Sequence, residues 1–92
     1  MPYLNNKFRE EIEKECEIEK LCAYFSSLDP DDLVGAVNYV VFKIARRYKP
    51  KSMSYAKAVA FIGTIECAKQ EIYRRIVAPY EDKKIVENGD VL

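Results

Sequence analysis

The sequence predicts an all-α protein: a three-helix antiparallel arrangement with a long third helix and a short C-terminal helix or tail. Three observations carry this. Apolar residues recur every three or four positions over three long segments. Residues that favour helix starts precede each segment. Prolines at 30, 50 and 79 follow Asp29, Lys49 and Ala78, and proline turns the preceding residue away from helical geometry. With 92 residues, 49% hydrophobic and 33% charged, residues 1–92 read as one helical domain, too short for two and too apolar for disorder.

The first helix is expected over about 6–27, with Asn6 as its cap. Leu4, Phe8, Ile12 and Cys16 are spaced by four, and Ile18, Leu21, Cys22 and Phe25 continue the apolar face. Glu10, Glu11, Glu13, Glu15, Glu17 and Glu19 alternate with apolar or basic residues, which fans them around a solvated arc.

The second helix is expected over 30–48. Asp29 caps it, Pro30 takes the first helical position, and Asp31 and Asp32 complement the helix dipole in the first turn. Leu33, Val37, Val40, Val41, Ile44 and Tyr48 form one apolar arc. Gly35, Tyr39, Phe42, Lys43 and Arg46 fall on the opposite side.

The third helix is expected over 53–78, capped by Ser52 or Ser54, and at the standard rise its two dozen or so residues span about 36 Å. Ala58, Phe61, Ile65, Ala68, Ile72 and Ile76 make its inner face, and Ala56, Ala60, Gly63 and Cys67 make a ridge of small residues behind it. A helix packed on both sides needs a second partner, and a further copy of the chain is the expected one. Residues 79–92 form a tail, read as a short helix ended by Gly89 or a small hairpin about Asn88-Gly89. Its apolar residues are expected to dock on a neighbouring subunit.

Composition narrows the chemistry. The chain has no histidine, so Ser-His-Asp and Cys-His catalysis and the usual zinc and non-haem iron ligand sets are excluded. No catalytic residue, metal site or cofactor is assigned. Fifteen basic and fifteen acidic residues cancel, so the protein as a whole lacks the positive field that holds nucleic acid by counterion release. The charge is segregated, however. Residues 33–65 carry six bases and no acid, while residues 1–32 carry nine acids and four bases. Cys16, Cys22 and Cys67 form no CxxC pair and read as buried, reduced thiols. No apolar run reaches membrane-spanning length and no signal-peptide core opens the chain, so a cytoplasmic protein is expected.

Two clusters have binding chemistry. Glu66 and Lys69, one turn apart, fall beside the arc of Ile62, Ile65, Ile72 and Tyr73, where buried charge needs a partner such as Tyr73 or Asn38. Lys43, Arg46, Arg47, Lys49 and Lys51 with Arg74 and Arg75 give seven cations near the carboxyl ends of two helices. Arginine forks hold phosphate and aromatic rings stack on bases. Asn38, Tyr39, Lys43, Arg46, Glu66, Lys69, Tyr73, Arg74, Arg75 and Tyr80 are therefore the predicted ligand-binding set, for an anionic, nucleotide-type small molecule. A Mg²⁺-dependent hydrolase of the all-α nucleoside triphosphate pyrophosphatase kind needs paired acidic motifs on facing helices. Glu10 and Glu13 offer one ExxE pair, but Asp29 and Asp32, at a helix start, serve as caps.

The stretches Glu66-Cys67-Ala68-Lys69, Glu71-Ile72-Tyr73-Arg74-Arg75, Pro79-Tyr80-Glu81-Asp82-Lys83-Lys84 and Glu87-Asn88-Gly89-Asp90-Val91, with Asn38-Tyr39 upstream, resemble a family of short phage and prophage proteins of unknown function. The likeness covers roughly the last two thirds of the chain. Small phage proteins that form helical oligomers include sponges for the nucleotide signals of bacterial immunity and direct inhibitors of host proteins. By that analogy the resemblance implies a non-catalytic homo-oligomer that sequesters such a nucleotide in the host cytoplasm. Its alternative is an interaction module that inhibits a host protein through the Glu-rich first helix.

Overall fold

The computed structural model describes residues 3–48 and 54–92. These residues are almost wholly helical and fall into two units, one spanning Tyr3–Met53 and the other holding Ser54–Leu92.

The first unit contains α1 (Asn6–Cys16), α2 (Ile18–Ser26) and α3 (Pro30–Tyr48). Asn5, rather than Asn6, caps α1: its Oδ1 accepts a hydrogen bond from the Phe8 amide at 2.8 Å. The helix expected over 6–27 is interrupted at Glu17, which adopts left-handed geometry at φ 47°, ψ 50°. No glycine marks this break, so composition gave no sign of it. The Glu17 carbonyl then accepts from the amides of Lys20 and Leu21 and starts α2. The α2 helix contacts both α1 and α3.

The start of α3 is as expected. Asp29 Oδ1 accepts from the Asp32 amide at 3.0 Å, Pro30 is the first helical residue, and Asp31 and Asp32 occupy the first turn. Leu33, Ala36 and Val40 are half-buried, whereas Val37, Val41 and Ile44 of the expected inner arc remain exposed. Three short elements cover only part of that arc.

The second unit is one helical rod of 34 residues. It comprises α4 (Tyr55–Ile72), a π-helical turn (Tyr73–Val77) and α5 (Ala78–Asn88). Ser54 caps α4 through its hydroxyl, which accepts from the Lys57 amide at 3.2 Å; the alternative cap Ser52 lies outside the described residues. Gly89, at φ 88°, ends the rod, its amide bonded to the Ile85 carbonyl.

Pro79 does not stop this helix, contrary to its expected role. Proline removes one amide donor and presses on the carbonyl four residues earlier. The π turn lies immediately before it, and the Ala78 amide reaches back five residues to the Tyr73 carbonyl. Widening by one residue makes room for the ring and leaves the helix continuous.

Among the described residues none is fully buried. Along the rod, Ala58 and Phe61 are half-buried, but Ile65, Ile72 and Ile76 of the expected inner face are exposed. A single rod provides no second layer of its own to cover its apolar stripe. Cys16, Cys22 and Cys67 are free and exposed, not the buried thiols their number implied. No helix among the described residues is long and apolar enough to cross a membrane.

Candidate anion-binding site

The predicted site residues divide between the two units. Asn38, Tyr39, Lys43 and Arg46 all lie on α3 and share one surface hollow of about 540 Å³ with Gly35 and Phe42. The helix itself makes the hollow: Gly35 supplies no side chain, and a Cβ built there would meet nothing within 4 Å. The Lys43 ammonium sits 5.8 Å from the centre of the Tyr39 ring, within cation–π range.

A second hollow, of about 450 Å³, adjoins this one, lined by Lys43, Arg46 and Arg47. Three cations therefore gather in the last turns of α3, where the negative end of the helix dipole favours them. No carboxylate forms an ion pair with Lys43, Arg46 or Arg47 among the described residues. The surface runs from an aromatic shelf, Tyr39 and Phe42, to an uncompensated cationic end. An anion that also carries a flat ring would meet both. Lys49 and Lys51, which the sequence grouped with these cations, lie outside the described residues.

The remaining predicted residues sit on the second unit, where glutamates and neighbouring side chains satisfy most of them. Glu66 and Lys69 form the expected pair at 2.8 Å. It is a surface pair, not a buried one: the side chains are 51% and 69% exposed, respectively. The hydrogen bond from Lys69, then its charge, holds the Glu66 carboxyl below the usual carboxylate range. Tyr73 does not join the pair, and Asn38 belongs to the other unit. The Tyr73 phenol donates to Glu81, which raises its pKa, because ionisation would set two negative groups in contact. Arg74 is bound through its guanidinium by Glu71, at 2.6 and 2.7 Å. Tyr80 carries the Lys84 ammonium 5.5 Å from its ring centre, and Lys84 also pairs with Glu87 at 3.1 Å. Arg75 has no carboxylate partner among the described residues.

The structure thus gathers Asn38, Tyr39, Lys43 and Arg46 on α3, while most of the predicted residues of the second unit are held by neighbouring side chains. The pairing of Glu71 with Arg74 was legible as an i, i+3 spacing. Glu81 opposite Tyr73 was not, because that spacing meets only across a π turn. The glutamates of the first unit also differ from expectation. With the chain bent at Glu17, Glu10, Glu13 and Glu19 border one open hollow of about 450 Å³ together with Asn6, Arg9 and Lys14. Among the described residues no group of three His, Cys, Asp or Glu side chains is placed to hold a metal ion.

A family described as Domain of unknown function (DUF6899) matches residues 1–91. The chain belongs to this family. The DUF6899 match takes in both units, including the Glu-rich α1 that the resemblance of the last two thirds left uncovered. No curated protein and no solved structure matches the DUF6899 chain.

Proposed function

We propose that this protein is a non-catalytic helical binding protein that associates with further copies of itself and takes an anionic, nucleotide-type ligand on α3. The observation that carries the ligand is the continuous surface of Tyr39, Phe42, Lys43, Arg46 and Arg47, an aromatic shelf beside three cations with no acidic partner among the described residues. The observation behind self-association is the lack of any fully buried residue among those described, since apolar stripes on α3 and α4 gain stability only when covered. Antiparallel packing of the three long segments belongs to this reading. The resemblance of residues 66–91 to short phage and prophage proteins favours a signalling nucleotide of bacterial immunity as ligand, and the host cytoplasm as the place of action.

Calorimetric titration with a panel of linear and cyclic nucleotides tests the ligand. Binding by the wild type that weakens at least tenfold in Arg46→Ala and Arg47→Ala supports the reading, and no heat across the panel rejects it.

A second reading draws on the bend at Glu17, which brings Glu10, Glu13 and Glu19 to one hollow. Arg9 and Lys14 also line that hollow, and its remaining excess of negative charge fits a basic patch on a host protein. Capture of one host protein, abolished by charge reversal at those three glutamates and untouched by Arg46→Ala, favours this reading over the first.

A further inference from the structure

The outer stripe of α3 is self-complementary. At about 100° per residue, Asp31, Gly35, Asn38, Tyr39, Phe42 and Arg46 fall within roughly 60° of one line along the helix. They lie opposite the half-buried Leu33 and Val40. Phe42 and Tyr39 are 68% and 55% exposed, so α1 and α2 leave the stripe uncovered within its own unit. Acidic residues occupy the first turn, basic residues the last, and no charge stands between Asp32 and Lys43.

We infer that this stripe docks on the same stripe of a second copy, the two α3 helices running antiparallel about a two-fold axis between Asn38 and Tyr39. In that register each position faces its mirror. Asp31 meets the partner's Arg46, Gly35 meets the partner's Phe42, and Asn38 meets the partner's Tyr39. Every facing pair is chemically matched. The carboxylate meets a guanidinium that has no acidic partner among the described residues. The large ring enters the hollow beside Gly35, where a Cβ finds open space. The side-chain amide meets a phenol that can donate to it. The opposed helix dipoles also attract. A parallel pair would set acid on acid, ring on ring and cation on cation, so the sequence selects one orientation. Two-fold pairing is isologous, and one stripe is enough to close it.

The inference rests on the self-association half of the proposed function and not on its ligand. A nucleotide phosphate and the partner's Asp31 contend for the same Arg46, so ligand would drive the copies apart. Absence of nucleotide binding leaves the pairing untouched, and the two claims fail separately.

Sedimentation velocity on the full chain, without nucleotide, tests it. The wild type is expected to sediment as a dimer or an assembly built from dimers. Asp31→Lys with Asp32→Lys, and separately Arg46→Glu with Arg47→Glu, should each weaken pairing at least tenfold, because both ends of every pair then repel. An equimolar mixture of the two variants should recover dimer, since one supplies cations and the other acids at both ends. Gly35→Leu should also abolish pairing while circular dichroism shows the helix content retained, which decides the matter should a charge variant fail to fold. A monomeric wild type, a mixture that stays monomeric, or undiminished pairing in Gly35→Leu overturns the inference.

Discussion

The phenol of Tyr73 donates a hydrogen bond to Oε1 of Glu81, eight residues further along the same helix. In an unbroken α-helix those positions stand about 80° apart around the axis. The π turn adds one residue, so eight residues complete two turns and the carboxylate comes under the phenol. The same turn admits Pro79. One local irregularity thus accounts both for a helix that passes through proline and for an unforeseen polar contact.

The first prediction concerns the Tyr73 proton. Its pKa is raised by the hydrogen bond to Glu81 and then by that residue's negative charge. The difference in phenolate absorbance between wild type and Tyr73→Phe should therefore titrate above the ordinary phenol value of about 10. Glu81→Gln should bring it back down. A group whose folded pKa is raised stabilises the fold below its unfolded pKa, and that contribution disappears as pH rises through the folded value. The contact thus holds at neutral pH and is lost only in strong alkali.

Glu66 behaves with the opposite sign. Lys69 lowers its pKa, so the pair contributes above the unfolded carboxylate value and is lost as pH falls through the folded one. Both side chains are well exposed, and added salt should screen their attraction. Carboxyl NMR titration should show Glu66 moving upward in Lys69→Ala and, by a smaller step, in molar salt. A Glu66 titration indifferent to Lys69 would contradict the pairing.

How far the sequence revealed this architecture depended on whether a feature was encoded by neighbours. Asp29 with Pro30 encodes the start of α3 in two adjacent residues, and Gly89 encodes the end of the rod in one. The Glu17 break is not local in that sense: no glycine or proline stands there, and the cost of left-handed geometry must be met by the contacts between α1, α2 and α3. At the candidate site, the cations of α3 were visible because their segment holds no acid. Arg74 and Tyr73 of the second unit carried the same chemistry, but the acids that occupy them act through helical spacing and a π turn, which composition does not display.

Glu17→Gly is the direct test of that break. Left-handed geometry costs a non-glycine residue about 1–2 kcal/mol, and glycine adopts it freely. The variant should gain on the order of 1 kcal/mol in urea unfolding, with unchanged helix content. Glu17→Val should lose stability, because a β-branched side chain tolerates this geometry poorly. A Glu17→Gly variant that is less stable than wild type would show that the bend is not held in left-handed geometry.

Pro79→Ala tests the link between proline and the π turn. The ring lacks the amide that would continue the α-helical ladder and crowds the carbonyl four residues back, and an interior proline costs about 3 kcal/mol relative to alanine. Alanine restores the donor and removes the crowding, so the turn over Tyr73–Val77 can close by one residue into ordinary α-helix. That closure rotates Glu81 by about 80° around the axis relative to Tyr73, which carries it away from the phenol. Two readouts should move together: thermal unfolding of the rod should rise, and the Tyr73 phenol should fall back to the ordinary range. If stability rises while Tyr73 still titrates high, the π turn is held by the Tyr73–Glu81 contact rather than by proline. The double variant Pro79→Ala with Glu81→Gln then separates the two causes, because it removes both reasons for the wider turn.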